Sequence, residues 1–188
     1  DFNNGDYQVN GKAKININGN IDDINYSLKK VKKEIFYKFN YELINSPVNF
    51  KILNYTKNNG DKSSLEITGK YSILKTINLE KIKFTQDKNY IDIENIKLNK
   101  NKKITSIDKI KISVLNNNDK HSKLEIKKNK KNYSINSEIF DGTKLVDEIL
   151  FSKVEGSFFD LFDNLDSDIS IKIDKAYINN EDFLISLN

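Results

Sequence analysis

The side chains that most often carry out catalysis or bind metals are scarce in this sequence. Its 188 residues include one histidine, His121, and no cysteine, which excludes a disulfide, a thiolate nucleophile and a zinc–thiolate site. His121 follows the polar segment 116–119 without a partner motif, as expected of a solvated side chain. Glycine-rich phosphate loops, nucleophile elbows and zinc-binding helix motifs are missing from the sequence. We therefore expect no enzyme activity, no catalytic residue, no metal and no cofactor.

One cluster of acids offers carboxylate oxygens, the ligands that calcium prefers. It comprises Asp160, Asp163, Asp166 and Asp168. The spacing of these acids differs from that of an EF-hand loop, so helix capping and solubility are the preferred interpretation.

The charge of the chain does not indicate a nucleic-acid partner. All 31 basic residues are lysine, and together with 27 acids they give a formal net charge of +4. The two signs are interspersed along the chain. Nucleic-acid binders concentrate their basic residues and use arginine to grip phosphate and guanine. We therefore predict no nucleic-acid binding, and the mixed charges are typical of one solvated face of a sheet.

Alternation of apolar and polar residues dominates the sequence. In the segment 35–43, isoleucine, tyrosine, phenylalanine and leucine occupy every second position, and polar residues occupy most of the others. Because side chains of a strand point alternately to the two faces of a sheet, each such segment has one apolar and one wet face. The pattern predicts a mainly β chain with antiparallel pairing, as a strand meander over 6–139 and terminal strands over 168–187.

A second pattern is a repeat whose copies begin at Leu79, Ile93 and Ile107, 14 residues apart. A strand of about ten residues with a short turn gives such a period. Inside each copy two polar residues separate the apolar ones, which breaks the alternation. The break predicts a β-bulge that bends the strand.

Helix signals are confined to one part of the chain. Asp141 or Thr143 can cap a helix whose apolar stripe includes Leu145 and Val146. The sequence therefore predicts a short helix over 143–151, and a weaker capping pattern predicts a second one over 158–164.

About a dozen predicted strands with so little helix raise the question of what covers their apolar faces. Soluble proteins rarely expose apolar patches of more than a few hundred Å². The sheet could close on itself as a sandwich or barrel, or it could curl into a trough whose inner face is covered by an apolar ligand. The alternation alone does not choose between these solutions.

The segment from Phe140 to Leu150, FDGTKLVDEIL, resembles a motif of the AsmA-like proteins, particularly of their YhdP-type branch. The strand from Asp168 to Ile178 is similar to the one that follows the motif in that branch, and Ser64 to Tyr71 also resembles it. The family often has alanine after the aspartate, where this chain has Gly142. The motif residues to which we assign a structural role are Asp141, Gly142, Thr143 and Leu145.

The resemblance implies a periplasmic bridge in bacteria with two membranes. Such proteins form a long β-trough with an apolar floor, along which phospholipid acyl chains are thought to travel to the outer membrane. They are far longer than 188 residues and carry an N-terminal inner-membrane anchor. We therefore expect residues 1–188 to be one β-rich segment of a longer protein, reaching both membranes through other parts of it.

The resulting hypothesis is a curved, mostly antiparallel open sheet, a groove or half-barrel, that contacts phospholipid acyl chains. The candidate lipid-facing residues are Ile15, Ile17, Ile35, Tyr37, Phe39, Tyr41, Ile67, Ile91, Ile93, Ile110, Ile112, Ile135 and Ile171. The alternative is a closed β-sandwich that binds protein or glycan in a secreted or surface protein.

Overall fold

The computed structural model describes residues 5–72, 76–99, 103–146, 168–179 and 181–187. These residues form mainly β-structure, and no helix among them is both long and apolar enough to cross a membrane. The strands are β1 (Tyr7–Ile17), β2 (Asn20–Val31), β3 (Glu34–Leu43), β4 (Val48–Phe50), β5 (Tyr55–Lys57), β6 (Ser63–Ser72), β7 (Thr76–Gln86), β8 (Asn89–Leu98), β9 (Ile104–Leu115), β10 (His121–Asn129), β11 (Asn132–Asp141), β12 (Ile169–Tyr177) and β13 (Phe183–Leu187).

Eleven of these strands form one sheet in the order β1-β2-β3-β6-β7-β8-β9-β10-β11-β12-β13. All neighbours are antiparallel except β11 and β12, which are parallel. The sheet is not closed into a barrel, because β1 and β13 are its two edges. The predicted mainly β, mostly antiparallel open sheet is confirmed. The only other sheet in the described part of the chain has two strands of three residues each, so a closed sandwich is not formed there.

The two sides of the sheet differ in chemistry. Cross-strand partners share a side, and Tyr26, Phe39 and Ile67 are successive partners on the side we call the apolar face. The opposite side, the polar face, holds ion pairs between neighbouring strands. In one of them Glu66 lies between Lys38 and Lys81, at 3.1 and 3.4 Å. The hydrogen bond from Lys38 lowers the pKa of Glu66 below its usual value, against the effect of burial.

The predicted bulge is confirmed in the first copy of the repeat, where the register between β6 and β7 shifts between Thr68 and Gly69 and skips Glu80. Leu79 pairs with Ile96, which pairs with Ile107, and three residues along Ile82, Ile93 and Ile110 form the matching set, with no register shift between the two sets. Two residues separate the members of each copy, yet all six lie on the apolar face. A bulge bends its strand and increases the local twist, so β7 is bent at this point.

The segment between β3 and β6 differs from the expected continuous meander. Strands β4 and β5 leave the main sheet and pair only with each other. A 3₁₀ turn over Lys51–Leu53 joins them and ends at Asn54, which adopts a left-handed conformation with φ 48°. We call residues 48–57 the roof hairpin, because it packs over one end of the apolar face.

The predicted helix over 143–151 begins within the described residues. Residues 143–146 are helical, whereas residues 147–151 and the second predicted helix over 158–164 lie outside the described ranges. The Asp141 carboxylate accepts hydrogen bonds from the backbone N–H and the hydroxyl of Thr143, at 3.1 and 2.6 Å. It therefore caps the helix, as the sequence allowed.

Candidate functional site

A continuous row of apolar side chains crosses nine neighbouring strands on the apolar face. Each member is the direct cross-strand partner of the next, so the row runs perpendicular to the strands. Eight strand spacings of about 4.8 Å give it a length of about 38 Å. This apolar row consists of Tyr26, Phe39, Ile67, Ile82, Ile93, Ile110, Ile126, Ile135 and Ile171.

The strand register places all thirteen candidate residues on the apolar face. Six belong to the apolar row: Phe39, Ile67, Ile93, Ile110, Ile135 and Ile171. The other seven flank the row: Ile15, Ile17, Ile35, Tyr37, Tyr41, Ile91 and Ile112. Sequence reasoning missed three members of the row, Tyr26, Ile82 and Ile126. Tyr26 and Ile126 follow the same alternation within their own strands, and Ile82 lies beyond the bulge in β7.

The candidate residues differ in how far protein covers them. Ile91 and Ile110 are buried at 9% and 7% exposure, whereas Ile171 is 46% exposed. The other ten are half-buried. The apolar face therefore keeps accessible apolar surface along most of its length, which an apolar ligand could cover.

Aromatic rings line the face along β3. The ring centres of Tyr37 and Phe39 are 5.6 Å apart, and those of Phe39 and Tyr41 are 6.4 Å apart. A Cβ atom at Gly69 would lie 2.5 Å from the Tyr37 hydroxyl oxygen, so only glycine leaves room for this ring. Burial raises the pKa values of Tyr37 and Tyr41, so both phenols stay uncharged at neutral pH.

The roof hairpin covers the face along one rim. Leu53 and Tyr55 of the hairpin, at 4% and 3% exposure, form a core cluster with residues of the sheet. The sheet residues of this cluster are Phe84, Ile91, Val114 and Phe140. The Phe84 ring meets the rings of Phe50 and Tyr55 edge-on, at centroid distances of 5.3 and 6.0 Å. Apolar contact on this rim is therefore supplied by the chain itself.

Two buried charges anchor the start of the roof hairpin. Asp22 accepts hydrogen bonds from the backbone N–H groups of residues 44, 45 and 46, at 2.9, 2.7 and 2.9 Å. Lys57, which is fully buried, donates from Nζ to the carbonyl oxygens of Ile44 and Ser46, at 2.8 and 2.9 Å. Burial lowers the pKa of Lys57, while the nearby carboxylates of Asp22 and Asp61 act in the opposite direction. The connecting loop is thus held through both its donors and its acceptors.

The far end of the roof hairpin is bound to the turn between β9 and β10. The backbone N–H of Asn117 donates to the Asn54 carbonyl oxygen at 2.9 Å. The Asn117 side chain accepts from the backbone N–H of Thr56 and donates to its hydroxyl, both at 3.1 Å. Tyr55 donates its hydroxyl hydrogen to the side chain of Gln86 at the end of β7. The hairpin is therefore tied to the sheet at both ends.

The four motif residues make structural contacts on the same rim. Asp141, which is 2% exposed, accepts from the Asn116 side chain in addition to capping the helix. The backbone N–H of Gly142 donates to the Tyr177 carbonyl oxygen at 2.9 Å, and a Cβ there would approach that oxygen to 3.1 Å. Leu145 packs against the core cluster under the roof hairpin. The motif thus joins β11, β12 and the helix at the covered rim.

Replacing Asp22 with Asn is expected to destabilise the fold by about 2–3 kcal/mol at neutral pH, because the buried charged acceptor of three backbone N–H groups is lost. Burial alone would raise the pKa of Asp22, but the hydrogen bonds from residues 44–46 outweigh it and keep the pKa below 3.8. A carboxylate whose pKa is lower in the folded state than in the unfolded state stabilises the protein at pH values above the unfolded-state pKa. This contribution is lost as the pH falls through the folded-state pKa. Denaturant unfolding should therefore show the difference between wild type and variant shrinking below pH 3.8. A difference that stays constant down to acid unfolding would contradict the assignment.

The polar face has depressions but no constellation suited to catalysis among the described residues. One of them, about 520 Å³, is lined by side chains of both charges, including Lys111, Lys123, Glu125 and Lys172. The described residues contain no group of three or more histidines and acids that could hold a metal ion. Of the acid cluster only Asp168 is described, and Asp160, Asp163 and Asp166 lie outside the described ranges. His121 is half-buried with Nε2 3.1 Å from the Ser113 hydroxyl oxygen.

The chain was compared with protein-family models, curated proteins and solved structures. No protein-family model, no curated protein and no solved structure matches the chain. The uncharged, mostly half-buried side chains of the apolar row offer non-directional contact along a line.

Proposed function

We propose that this chain shields phospholipid acyl chains on its apolar face, as a segment of a longer AsmA-like protein of the YhdP type. In this function it takes part in phospholipid transport between the inner and outer membranes. The observation that carries the proposal is the apolar row, which is unbroken across nine strands. The resemblance of residues 140–150 to the family motif is the second support.

The row suits a mobile acyl chain for a physical reason. Burying a methylene group is worth about 0.8 kcal/mol and requires no particular orientation. A chain lying along the row could therefore move from one strand to the next without a hydrogen bond to break. Transport of this kind needs no catalytic residue.

The location and anchoring follow from the same resemblance. The segment works in the periplasm, and the full-length protein is anchored in the inner membrane outside these residues. Head groups stay in water while the acyl chains lie on the apolar face, because transferring a charged phosphate into an apolar environment is costly.

Native mass spectrometry of the protein, produced in the periplasm of a bacterium with two membranes, tests the proposal. We expect phospholipid adducts that survive purification and reappear when delipidated protein is incubated with phospholipid vesicles. A protein that is lipid-free after purification and stays so after incubation would contradict the proposed function. Serum albumin loaded with the same vesicles serves as a positive control for adduct survival.

A further inference from the structure

The two rims of the sheet carry different charge. Because the strands are antiparallel, the ends of β2 and β10 and the start of β9 lie on the rim opposite the roof hairpin. Lysines concentrate there, and we call this set the lysine rim. It consists of Lys30, Lys32, Lys33, Lys103, Lys128, Lys130 and Lys131.

Two of these lysines lie on the apolar side of the sheet. Lys30 is the cross-strand partner of Tyr7 and of Ile35, and its Nζ is 5.8 Å from the centre of the Tyr7 ring. Lys128 is the partner of Tyr133, and its Nζ is 2.6 Å from the Ser106 hydroxyl oxygen. The ammonium groups of Lys30 and Lys128 therefore border the apolar face directly.

Few acids lie beside the lysines in the described part of the lysine rim. Seven ion pairs are formed within the described ranges, and all of them involve lysines of the polar face. None involves a lysine of the lysine rim. The acids described on this rim are Asp6, Glu34 and Asp168, and Glu34 is already paired with Lys70 at 3.1 Å. Asp6 accepts the backbone N–H of Lys32 at 2.9 Å.

The opposite rim has a more even balance of positive and negative charges. Its turns carry both signs, with acids at Asp61, Asp87, Asp119, Glu181 and Asp182 and lysines at Lys62, Lys88 and Lys120. The roof hairpin also covers the apolar face on that side. The second core cluster, toward the lysine rim, consists entirely of residues from strands of the sheet.

We infer that the lysine rim binds the phosphate of anionic phospholipids whose acyl chains lie on the apolar face. The inference rests on the proposed function and specifies its substrate class. A lysine near an anionic lipid head group contributes favourably to the free energy of binding. The same lysine contributes less to the binding of a lipid without net charge. The turns at 32–33 and 130–131 are six strand spacings apart, about 29 Å, so the rim can contact head groups at several points along the row.

Charge reversal tests the inference. The variant K30E/K33E/K128E/K131E and a milder version with glutamine at the same positions are compared with K12E/K14E/K62E/K88E. The last variant changes net charge equally at exposed lysines away from the rim. Delipidated proteins are incubated with equimolar phosphatidylglycerol and phosphatidylethanolamine vesicles, and the bound lipids are identified by mass spectrometry.

We expect the wild type and the control variant to be enriched in phosphatidylglycerol. The glutamate variant should lose that enrichment by a factor of at least about five while total bound lipid changes little. The glutamine variant should fall between them. Added inorganic phosphate should leave the enrichment in place, because free phosphate has no acyl chain to hold it at the rim.

Three results would overturn the inference while leaving the proposed function intact. These are bound lipid with no head-group preference in the wild type, an unchanged preference in the glutamate variant, and loss of the preference when inorganic phosphate is added. A variant that only sediments less with vesicles would indicate membrane docking and would also overturn it. A wild type that binds no lipid would instead contradict the proposed function itself.

Discussion

Replacing Phe39 or Ile67 with Asp is expected to lower the amount of bound phospholipid by at least tenfold. Both residues are half-buried members of the apolar row and are direct cross-strand partners. A carboxylate at either position interrupts the row, and an acyl chain in contact with it would desolvate a charge, which costs several kcal/mol. A tenfold loss requires only about 1.4 kcal/mol, so desolvation exceeds what the prediction needs. Native mass spectrometry of the two variants measures the effect.

Matched controls lie one residue further along the same strands. Asn40 and Thr68 are on the polar face, and each can be replaced with Asp. Thr68 pairs with Lys38 and Lys81, so a carboxylate there meets favourable charge. Both controls should bind as much lipid as the wild type. Equal loss in the polar-face and apolar-face variants would show that the face assignment is wrong.

The second large effect is on stability. Replacing Phe84 with Ala should reduce the free energy of unfolding by about 3–4 kcal/mol, because the ring is buried and its removal leaves a cavity. Phe84 is 3% exposed and contacts both Phe50 and Tyr55 of the roof hairpin. Denaturant unfolding followed by far-ultraviolet circular dichroism measures the loss.

Phe36 provides the matched control for this substitution. It lies on the polar face of β3, opposite Lys70, and is half-buried. Its replacement with Ala should cost about 1 kcal/mol or less, since a less buried ring loses less transfer free energy and leaves no enclosed cavity. If both variants lost the same stability, the roof hairpin would not form the core that the structure assigns to it.

The alternation of residue types made the faces of the sheet predictable. Side chains have a period of two in a strand, and cross-strand pairing preserves the face from one strand to the next. A choice of parity made separately in each segment therefore placed all thirteen candidate residues on one side. The bulge in β7 was also predictable, because a pair of polar residues interrupts the alternation in the copy of the repeat that starts at Leu79.

The roof hairpin was not predictable from the same signal. Val48, Phe50 and Ile52 alternate like the residues of a sheet strand, but Ile52 lies in a 3₁₀ turn. The alternation of side chains shows which face of a segment is apolar, but it does not show which strand the segment pairs with. The parallel pairing of β11 with β12 could not be predicted for the same reason.

The anchor of the roof hairpin was equally hidden. Lysine is among the residues least often fully buried, and nothing near Lys57 in the sequence distinguishes it from the other lysines. Its burial depends on two carbonyl groups of the loop that begins with Ile44. The partner anchor, Asp22, is more than twenty residues away from that loop along the chain. Such pairs arise from tertiary structure alone.

Tryptophan fluorescence can show directly whether acyl chains lie on the apolar face. The chain contains no tryptophan, so a single introduced tryptophan reports on one side of the sheet. Phe39→Trp places the probe in the apolar row, and Phe36→Trp places it on the polar face of the same strand. Each variant is loaded with phospholipid brominated on its acyl chains, which quenches tryptophan fluorescence on contact. We expect strong quenching at position 39 and little at position 36. Equal quenching at both positions, or quenching only at position 36, would show that acyl chains do not lie on the apolar face.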